Sequence, residues 1–194
     1  MKDFIHFKKE TTRGASANCY VEIPTRIGVD RNGKDIILSK TNREIVKEMV
    51  EGDYDQIYYR KRQQGLTTCA IISAYLLTRF LGHNVLFISR KNGISIAMSD
   101  KLQYIVKMNV DVDVDPTTRN FPFGFWQDDN SYISQNGSGD TKCPVDFVSY
   151  SQYSSIYDFY KYGVIIGDTN FILANPVKLK SSTRIIHLCS GYNL

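Results

Sequence analysis

Residues 58–70 read Tyr58-Tyr-Arg-Lys-Arg-Gln-Gln-Gly-Leu-Thr-Thr-Cys-Ala70, a basic, glycine-containing turn between a short strand pattern and a long apolar helix pattern. A nucleotide phosphate is bound at such turns by backbone N–H groups, a cation, a hydroxyl for Mg²⁺ and the positive end of a helix. All four groups occur here. The common motif G-x-x-x-x-G-K-[ST] is absent, because Leu66 follows Gly65 where the motif has a lysine, and the first glycine of the motif is missing. The pattern alone therefore leaves two interpretations open, a phosphate-binding turn and a basic surface turn.

The apolar periodicity around this turn predicts alternating helices and strands. An N-cap signal at Ser39 precedes a helical stripe formed by Ile45, Met49 and Val50. The predicted elements are, in chain order, a helix over 39–51, a strand over 55–59, a helix over 67–80 that stops at Gly82, a strand over 84–89, a helix over 94–108, and strands over 163–167 and 184–189. This alternation predicts an α/β fold with a mostly parallel sheet flanked by helices.

Length and composition favour one globular domain over 1–194. The chain is 42% hydrophobic and 23% charged, which excludes disorder of the whole chain. We expect an N-terminal extension over 1–40 and an irregular, β-rich insert over 111–159, where Gly, Asn and Ser cluster. No apolar run approaches the roughly 20 residues of a membrane helix, and no export signal is recognisable.

The charge distribution favours one kind of partner, and the spacing of cysteine and histidine argues against a zinc site. Residues 1–110 carry 18 basic and 11 acidic side chains, a net charge of +7, whereas residues 111–194 carry 6 and 9, a net charge of −3. Such a distribution favours a polyanion near the first part of the chain. The 4 cysteines and 3 histidines lack the spacing of a zinc site, so we expect buried, reduced thiols.

The turn resembles the ATPase motif of the large terminase subunits, the DNA-packaging motors of tailed bacteriophages. Residues Arg62, Gln63, Gln64, Gly65, Leu66, Thr67 and Thr68 are similar to the family's R-Q-x-G-K-[ST]-T motif. In a variant of that motif an apolar residue replaces the lysine and an earlier cation takes its place. On that register Leu66 is the apolar residue, Arg60 occupies the early cation position, and Lys61 lies beside it.

Further segments resemble the family in chain order. The pair Asn42-Arg43 is similar to the pair that the family places near the adenine. Residues 164–171 resemble a Walker B strand that ends at Asp168. Residues 185–193 resemble the strand and motif that couple hydrolysis to movement, with Ser190, Gly191 and Asn193 in the coupling positions.

The resemblance implies a P-loop NTPase-like fold of the ASCE/RecA type, with ATP and Mg²⁺ as cofactors. Arg60 and Asp168 would be the catalytic residues, Thr67 and Asp168 would hold the metal, and the nucleotide would be bound by residues 60–68 with Asn42 and Arg43. Thr67 could also cap the following helix. The implied partners are double-stranded DNA, the portal, the small terminase subunit and further copies of the chain, with no membrane, in the host cytoplasm.

Three departures from the family's pattern support an alternative. Thr169 stands where the family has a catalytic Glu, and a hydroxyl cannot act as a carboxylate base. Residues 120–183 contain no arginine, so the Arg-Gly element before Walker B is absent. No nuclease domain is expected within 1–194. The alternative is therefore a catalytically silent relative that serves as a regulatory module binding nucleic acid or protein.

Overall fold

The computed structural model describes residues 3–10, 16–23, 25–29, 33–60, 65–79, 81–91, 93–94, 97–98, 101 and 145–190. Two antiparallel hairpins come first, β1 (Asp3–Glu10) with β2 (Ser16–Ile23) and β3 (Arg26–Val29) with β4 (Asp35–Ile37). The elements that follow are α1 (Lys40–Glu51), β5 (Gln56–Arg60), α2 (Leu66–Arg79), β6 (Val85–Ser89), β7 (Val145–Ser149), α3 (Tyr150–Tyr153), β8 (Val164–Asp168), α4 (Thr169–Ala174) and β9 (Arg184–Ser190).

The centre of the fold is a parallel sheet of five strands in the order β5-β9-β8-β6-β7. Every carboxyl end therefore lies along the same edge of the sheet. The last of the described strands, β9, lies between β5 and β8, and β5 pairs with β9 through residues 56–60 and 186–190. The predicted α/β class and parallel sheet are thus confirmed.

Alternate residues of the strands enter two separate cores. On one face, Phe87, Ile166 and Ile186 pack with buried residues of α1 and α2 to form the main core. On the opposite face, Ile88 and Ile165 belong to a smaller core, which also contains Tyr153, Tyr162 and Ile172. A strand buried on both faces reads as a continuous apolar run, and all five residues of β6 are indeed buried.

The outer strand β5 is covered on one face only. Tyr58 packs against the main core, whereas Ile57 and Tyr59 on the other face are 52% and 74% exposed. Its amino end is held by the carboxyl end of α1, where Glu48 O accepts hydrogen bonds from Gln56 Nε2 at 2.8 Å and Gly52 N at 3.0 Å. The side of β5 that faces α1 is therefore fixed by hydrogen bonds as well as by packing.

A buried arginine joins β9 to the same helix end. Arg184 is 7% exposed and donates from Nη2 to Met49 O, one of the last carbonyls of α1. Cations are favoured at this end of a helix because its carbonyls point outward without a partner in the helix. Burial lowers the pKa of Arg184 from its ordinary value. The adjacent Ile185 N donates to Asp55 Oδ1 at 2.7 Å, so α1, β5 and β9 are tied together at the amino edge of the sheet.

Most predicted elements occur within a few residues of their expected limits. Ser39 caps α1 as predicted, since its Oγ accepts from Asn42 N at 3.1 Å. Gly82 has a φ of 69° shortly after α2. Of the predicted helix over 94–108, residues 94, 97, 98 and 101 are helical, and the other residues lie outside the described part of the chain.

The expected irregular insert over 111–159 needs correction in its last part. Residues 145–149 form β7, which pairs in parallel with β6 from Val85↔Val145 to Ser89↔Ser149. Val145-Asp-Phe-Val-Ser149 lacks a continuous apolar run because β7 is an outer strand of the sheet, where Asp146 is only partly covered. Residues 111–144 lie outside the described residues.

The close packing of β8 predicts a strong effect of one added methyl group. A Cβ at Gly167 would lie 3.0 Å from Ile88 Cβ and 3.3 Å from Ile172 Cδ1. We expect Gly167→Ala to lower the free energy of unfolding by about 1–3 kcal/mol, because overpacking a filled core displaces neighbouring side chains.

Urea unfolding of the whole chain measures this effect. Gly93→Ala is the matched control, since a Cβ at Gly93 has no neighbour within 4 Å, and alanine in a helix is at most about 1 kcal/mol more stable than glycine. Equal midpoints for Gly167→Ala and the unaltered chain would contradict the packing described for β8.

Candidate functional site

The strand order defines a candidate ligand-binding position at the carboxyl edge of the sheet. Among the described strands, β6 is followed in the chain by β7, which lies on one side of it, and β8 is followed by β9, which lies on the other side. Neighbouring strands whose connections diverge in this way form a topological switch point, where ligands of open α/β sheets bind. The residues at the ends of these two strands are Ser89 and Asp168.

The turn before α2 is closed by a glycine in a left-handed conformation. Gly65 has a φ of 79°, and a Cβ there would lie 3.1 Å from Asn42 Nδ2. The first helical hydrogen bond runs from Cys69 N to Gly65 O at 2.9 Å. Gly65 is therefore the N-cap residue of α2. The expectation that Thr67 caps this helix is wrong, because Thr67 lies inside the first turn, where its side chain is exposed.

The amino end of α2 carries N–H groups that have no partner within the helix. Leu66, in the position of the family's lysine, packs against the main core. A different lysine reaches this turn, since Lys101 Nζ donates to Thr68 Oγ1 at 2.7 Å. The first turn of α2 therefore combines a positive helix end with a nearby ammonium group.

Asp168 terminates β8 and starts α4. Its Oδ1 accepts from Asn170 N at 3.0 Å and from Phe171 N at 3.3 Å, which makes it the N-cap of α4. Its Oδ2 lies 3.5 Å from Arg90 Nη2, just after β6. Both carboxylate oxygens thus have partners, two backbone amides and a guanidinium group.

The strand order brings the turn and Asp168 to the same side of the sheet. Val164 and Ile166 belong to the main core beneath α2, so Asp168 by alternation lies on the face that α2 covers. Arg60, at the end of β5, pairs with Ser190 on β9, and β9 separates it from β8. Two strand spacings amount to roughly 10 Å.

Other predicted residues are distributed as follows. Arg43 Nη1 donates to Leu38 O at 2.8 Å, near the start of α1, whereas Asn42 lies at the Gly65 turn. For Arg60 and Ser190 the structure describes the backbone in the strands. Outside the described residues lie Lys61, Arg62, Gln63, Gln64, Gly191 and Asn193.

Thr169, in the position of the family's catalytic Glu, has a contact of its own. Its Oγ1 lies 2.8 Å from Cys189 Sγ, with either group as donor. Cys189 is on the face of β9 opposite α2, because Ile186 and Leu188 contribute to the main core. The side chain of residue 169 is therefore directed away from the turn before α2.

The sequence does not indicate two of the residues that lie at this edge. Lys101 lies 33 positions after its partner Thr68, so no local motif connects them. Arg90 follows a buried strand, where a basic residue is also common as a solvated loop start. Only the strand order, which sequence periodicity does not specify, brings Arg90 and Asp168 together.

Comparison of the chain with protein-family models, with curated proteins and with solved structures gives no match. Within the described ranges, no group of three or more His, Cys, Asp and Glu side chains could hold a metal ion. No helix in the same part of the chain is long and apolar enough to cross a membrane. The arrangement at the carboxyl edge is therefore interpreted from its own geometry.

The contacts of Asp168 predict a stabilising role. We expect Asp168→Ala to lower the free energy of unfolding by about 1 kcal/mol, because two amides of α4 lose their acceptor. Asp168→Asn keeps an acceptor oxygen and is expected to cost less. Urea unfolding of both variants measures the difference. Arg90→Ala is the control for the ion pair, which is partly exposed and is expected to contribute less than about 1 kcal/mol.

An unfolding midpoint of Asp168→Ala equal to that of the unaltered chain would rule out the capping role. A loss that is as large for Asp168→Asn as for Asp168→Ala would instead assign the stability to the charge pair with Arg90.

Proposed function

We propose that the chain is an ATP-binding domain of the P-loop NTPase-like class, similar to the ATPase domain of a large terminase subunit and acting in viral double-stranded DNA packaging. The observation that carries this proposal is the strand order. A glycine turn leads from β5 into α2, and Asp168 ends β8, with β9 between the two strands. This is the arrangement that the resemblance implies for an ASCE/RecA-type phosphate site.

The turn supplies the groups that a nucleotide phosphate requires. Gly65 allows the tight backbone turn, the amino end of α2 presents N–H groups, and Asn42 lies against the turn. By the resemblance, Arg60 or Lys61 contacts the β- and γ-phosphates, with Arg62, Gln63 and Gln64 in the loop. Ser190 is the last residue of β9, and Gly191 and Asn193 come after it in the sequence. By the resemblance, these residues would couple the nucleotide state to movement.

The metal fits less well than the nucleotide. Mg²⁺ would be held by the Thr67 hydroxyl and by Asp168 through water. Thr67 is exposed at the first turn of α2, but the Asp168 carboxylate already engages two amides and Arg90. Arg90 therefore lies beside one of the two proposed metal ligands, and Lys101 contacts Thr68, which adjoins the other. We derive no step through a metal ion.

A second candidate is a catalytically silent module that keeps nucleotide binding. The contact between Thr169 and Cys189 favours it, because the residue in the position of the general base is directed away from α2. Such a module would regulate packaging by docking on nucleic acid or on a motor subunit. If the chain is instead a packaging motor, its partners would be the portal, the small terminase subunit and further copies of the chain, in the host cytoplasm.

Titration calorimetry of the whole chain with a non-hydrolysable ATP analogue, with and without Mg²⁺, tests the proposal. We expect binding in both conditions, and loss of binding in Gly65→Ala. Gly82→Ala is the matched control, because Gly82 has a φ of 69° and its Cβ would have no neighbour within 4 Å. Both variants bear a similar backbone strain of roughly 1–2 kcal/mol. Thermal unfolding of both shows whether the additional contact of Gly65→Ala with Asn42 lowers stability further.

Absence of binding by the unaltered chain would remove the proposed function. An ATP turnover assay on the same sample separates the two candidates: measurable turnover supports the motor, and binding without turnover supports the silent module.

The cations before the turn give a separate prediction. We expect Arg60→Ala combined with Lys61→Ala to weaken binding of the ATP analogue at least about tenfold, equivalent to about 1.4 kcal/mol, because charge-assisted contacts to phosphate are lost. Calorimetry at constant ionic strength measures it. Unchanged affinity in a folded double variant would eliminate the early-cation interpretation of the motif.

A further inference from the structure

We propose that the outer edge of β5 pairs with the same edge of a second copy of this chain, in antiparallel orientation, so that two five-stranded sheets become continuous. This inference concerns a surface of the sheet and does not depend on the proposed nucleotide site. Among the described strands, β5 is outermost and pairs with β9 alone. Within the described part of the chain, residues 56–59 make no backbone hydrogen bond besides those of that pairing. The other edge of the strand therefore presents N–H and C=O groups that a further strand can bind.

The side chains along β5 are apolar and exposed. Ile57 and Tyr59 lie on one face of the strand and are more than half exposed, as is Tyr54 just before it. Edge strands of soluble proteins are ordinarily protected against pairing by charged residues, prolines or bulges. Residues 56–59 include no charged residue and no proline, and their register with β9 is continuous. The strand thus has the features of a pairing surface.

The outer strand on the opposite side of the sheet, β7, carries such a protection. Asp146, its second residue, accepts hydrogen bonds from Lys161 Nζ at 3.1 Å and from the Tyr162 hydroxyl. A strand added beside this ion pair would remove part of it from water, which costs free energy. Of the two outer strands, β5 is therefore the one that is suited to pairing.

The charges at the two ends of β5 indicate the partner and its direction. Asp53 and Asp55 precede the strand and are exposed, whereas the sequence is basic over residues 60–62. When two identical strands pair in antiparallel orientation, the amino end of each lies beside the carboxyl end of the other. The acidic end of each copy then approaches the basic end of the other, whereas parallel pairing would bring like charges together. The charge pattern of β5 is complementary to itself.

The apolar side chains fit the same arrangement. A two-fold axis at Tyr58 places Ile57 of each copy opposite Tyr59 of the other, on the face that α2 does not cover. Aromatic and β-branched residues that lie directly opposite one another stabilise antiparallel strands. Because the contact is short, we expect a weak dimer with a dissociation constant in roughly the micromolar range.

Analytical ultracentrifugation of the full chain without nucleotide tests the proposal. We expect a monomer–dimer equilibrium over total concentrations of about 5 to 500 µM. Hydrogen exchange of the amides of residues 56–59, measured at both ends of this range, identifies the surface involved. We expect exchange of these amides to be slower at the high concentration, because pairing protects the outer edge of the strand.

Tyr59→Lys and Ile57→Lys are the variants that remove the pairing. Each replaces an exposed side chain by a lysine, so both are expected to fold, and thermal unfolding verifies this. We expect each to raise the dissociation constant of the dimer at least about tenfold, because the lysine replaces an apolar cross-strand contact. Tyr157→Lys is the matched control, since Tyr157 is fully exposed outside β5. Its dimerisation is expected to equal that of the unaltered chain.

The salt dependence tests the orientation of the two strands. Raising NaCl from about 0.05 to 0.5 M is expected to weaken the dimer several-fold, because the attraction between opposite charges is screened. A dimer that salt strengthens would overturn the antiparallel orientation.

The remaining outcomes decide the surface and the partner. A chain that is monomeric at every concentration would overturn the proposal and leave the edge of β5 to a strand of another protein. A dimer that Tyr59→Lys and Ile57→Lys leave unchanged, or one without slower exchange at residues 56–59, would place the contact elsewhere and also overturn it. Because no nucleotide is present, these results are distinct from those of the ATP-binding experiment.

Discussion

The parallel alignment of the five central strands is the constraint on which the other features depend. Because all strands run in the same direction, their polar carboxyl ends share one edge, and helices must cover both faces of the apolar interior. The turn before α2, the cap of α4 and the guanidinium of Arg90 meet at this edge for that reason alone. The opposite edge has a structural role, since Arg184 and Asp55 join α1, β5 and β9 there.

The same carboxyl edge shows how one side chain can serve stability and still belong to a candidate site. Asp168 caps α4 with one oxygen and faces Arg90 with the other. An aspartate that is used in this way keeps its position without a ligand. A group that bound to Asp168 would have to share it with the helix cap, so ligand affinity and the order of α4 would be linked.

Sequence periodicity predicts the helices and strands of the fold but does not predict the order of the strands in the sheet. The limits of α1, β6, β8 and β9 follow from apolar stripes, runs and caps that act over a few residues. The strand order does not, because it depends on pairing between segments far apart in the chain. For the same reason the sequence does not indicate Lys101 and Arg90, and it predicts an insert where β7 is found. Of the roles considered for Thr67, that of a helix cap does not apply, because Gly65, which adopts a positive φ, ends the turn two residues earlier.

The place of β9 in the sheet determines when the candidate site can form during synthesis. β9 is the last strand that the structure describes, and β5 joins the sheet by pairing with it across a separation of about 130 residues. Closing so long a loop is slow compared with forming local helices. Until residues 184–190 have been made, β6, β7 and β8 can pair with one another, but β5 has no neighbour through which to reach them. The turn before α2 and Asp168 can therefore come together only after residues 184–190 have been made.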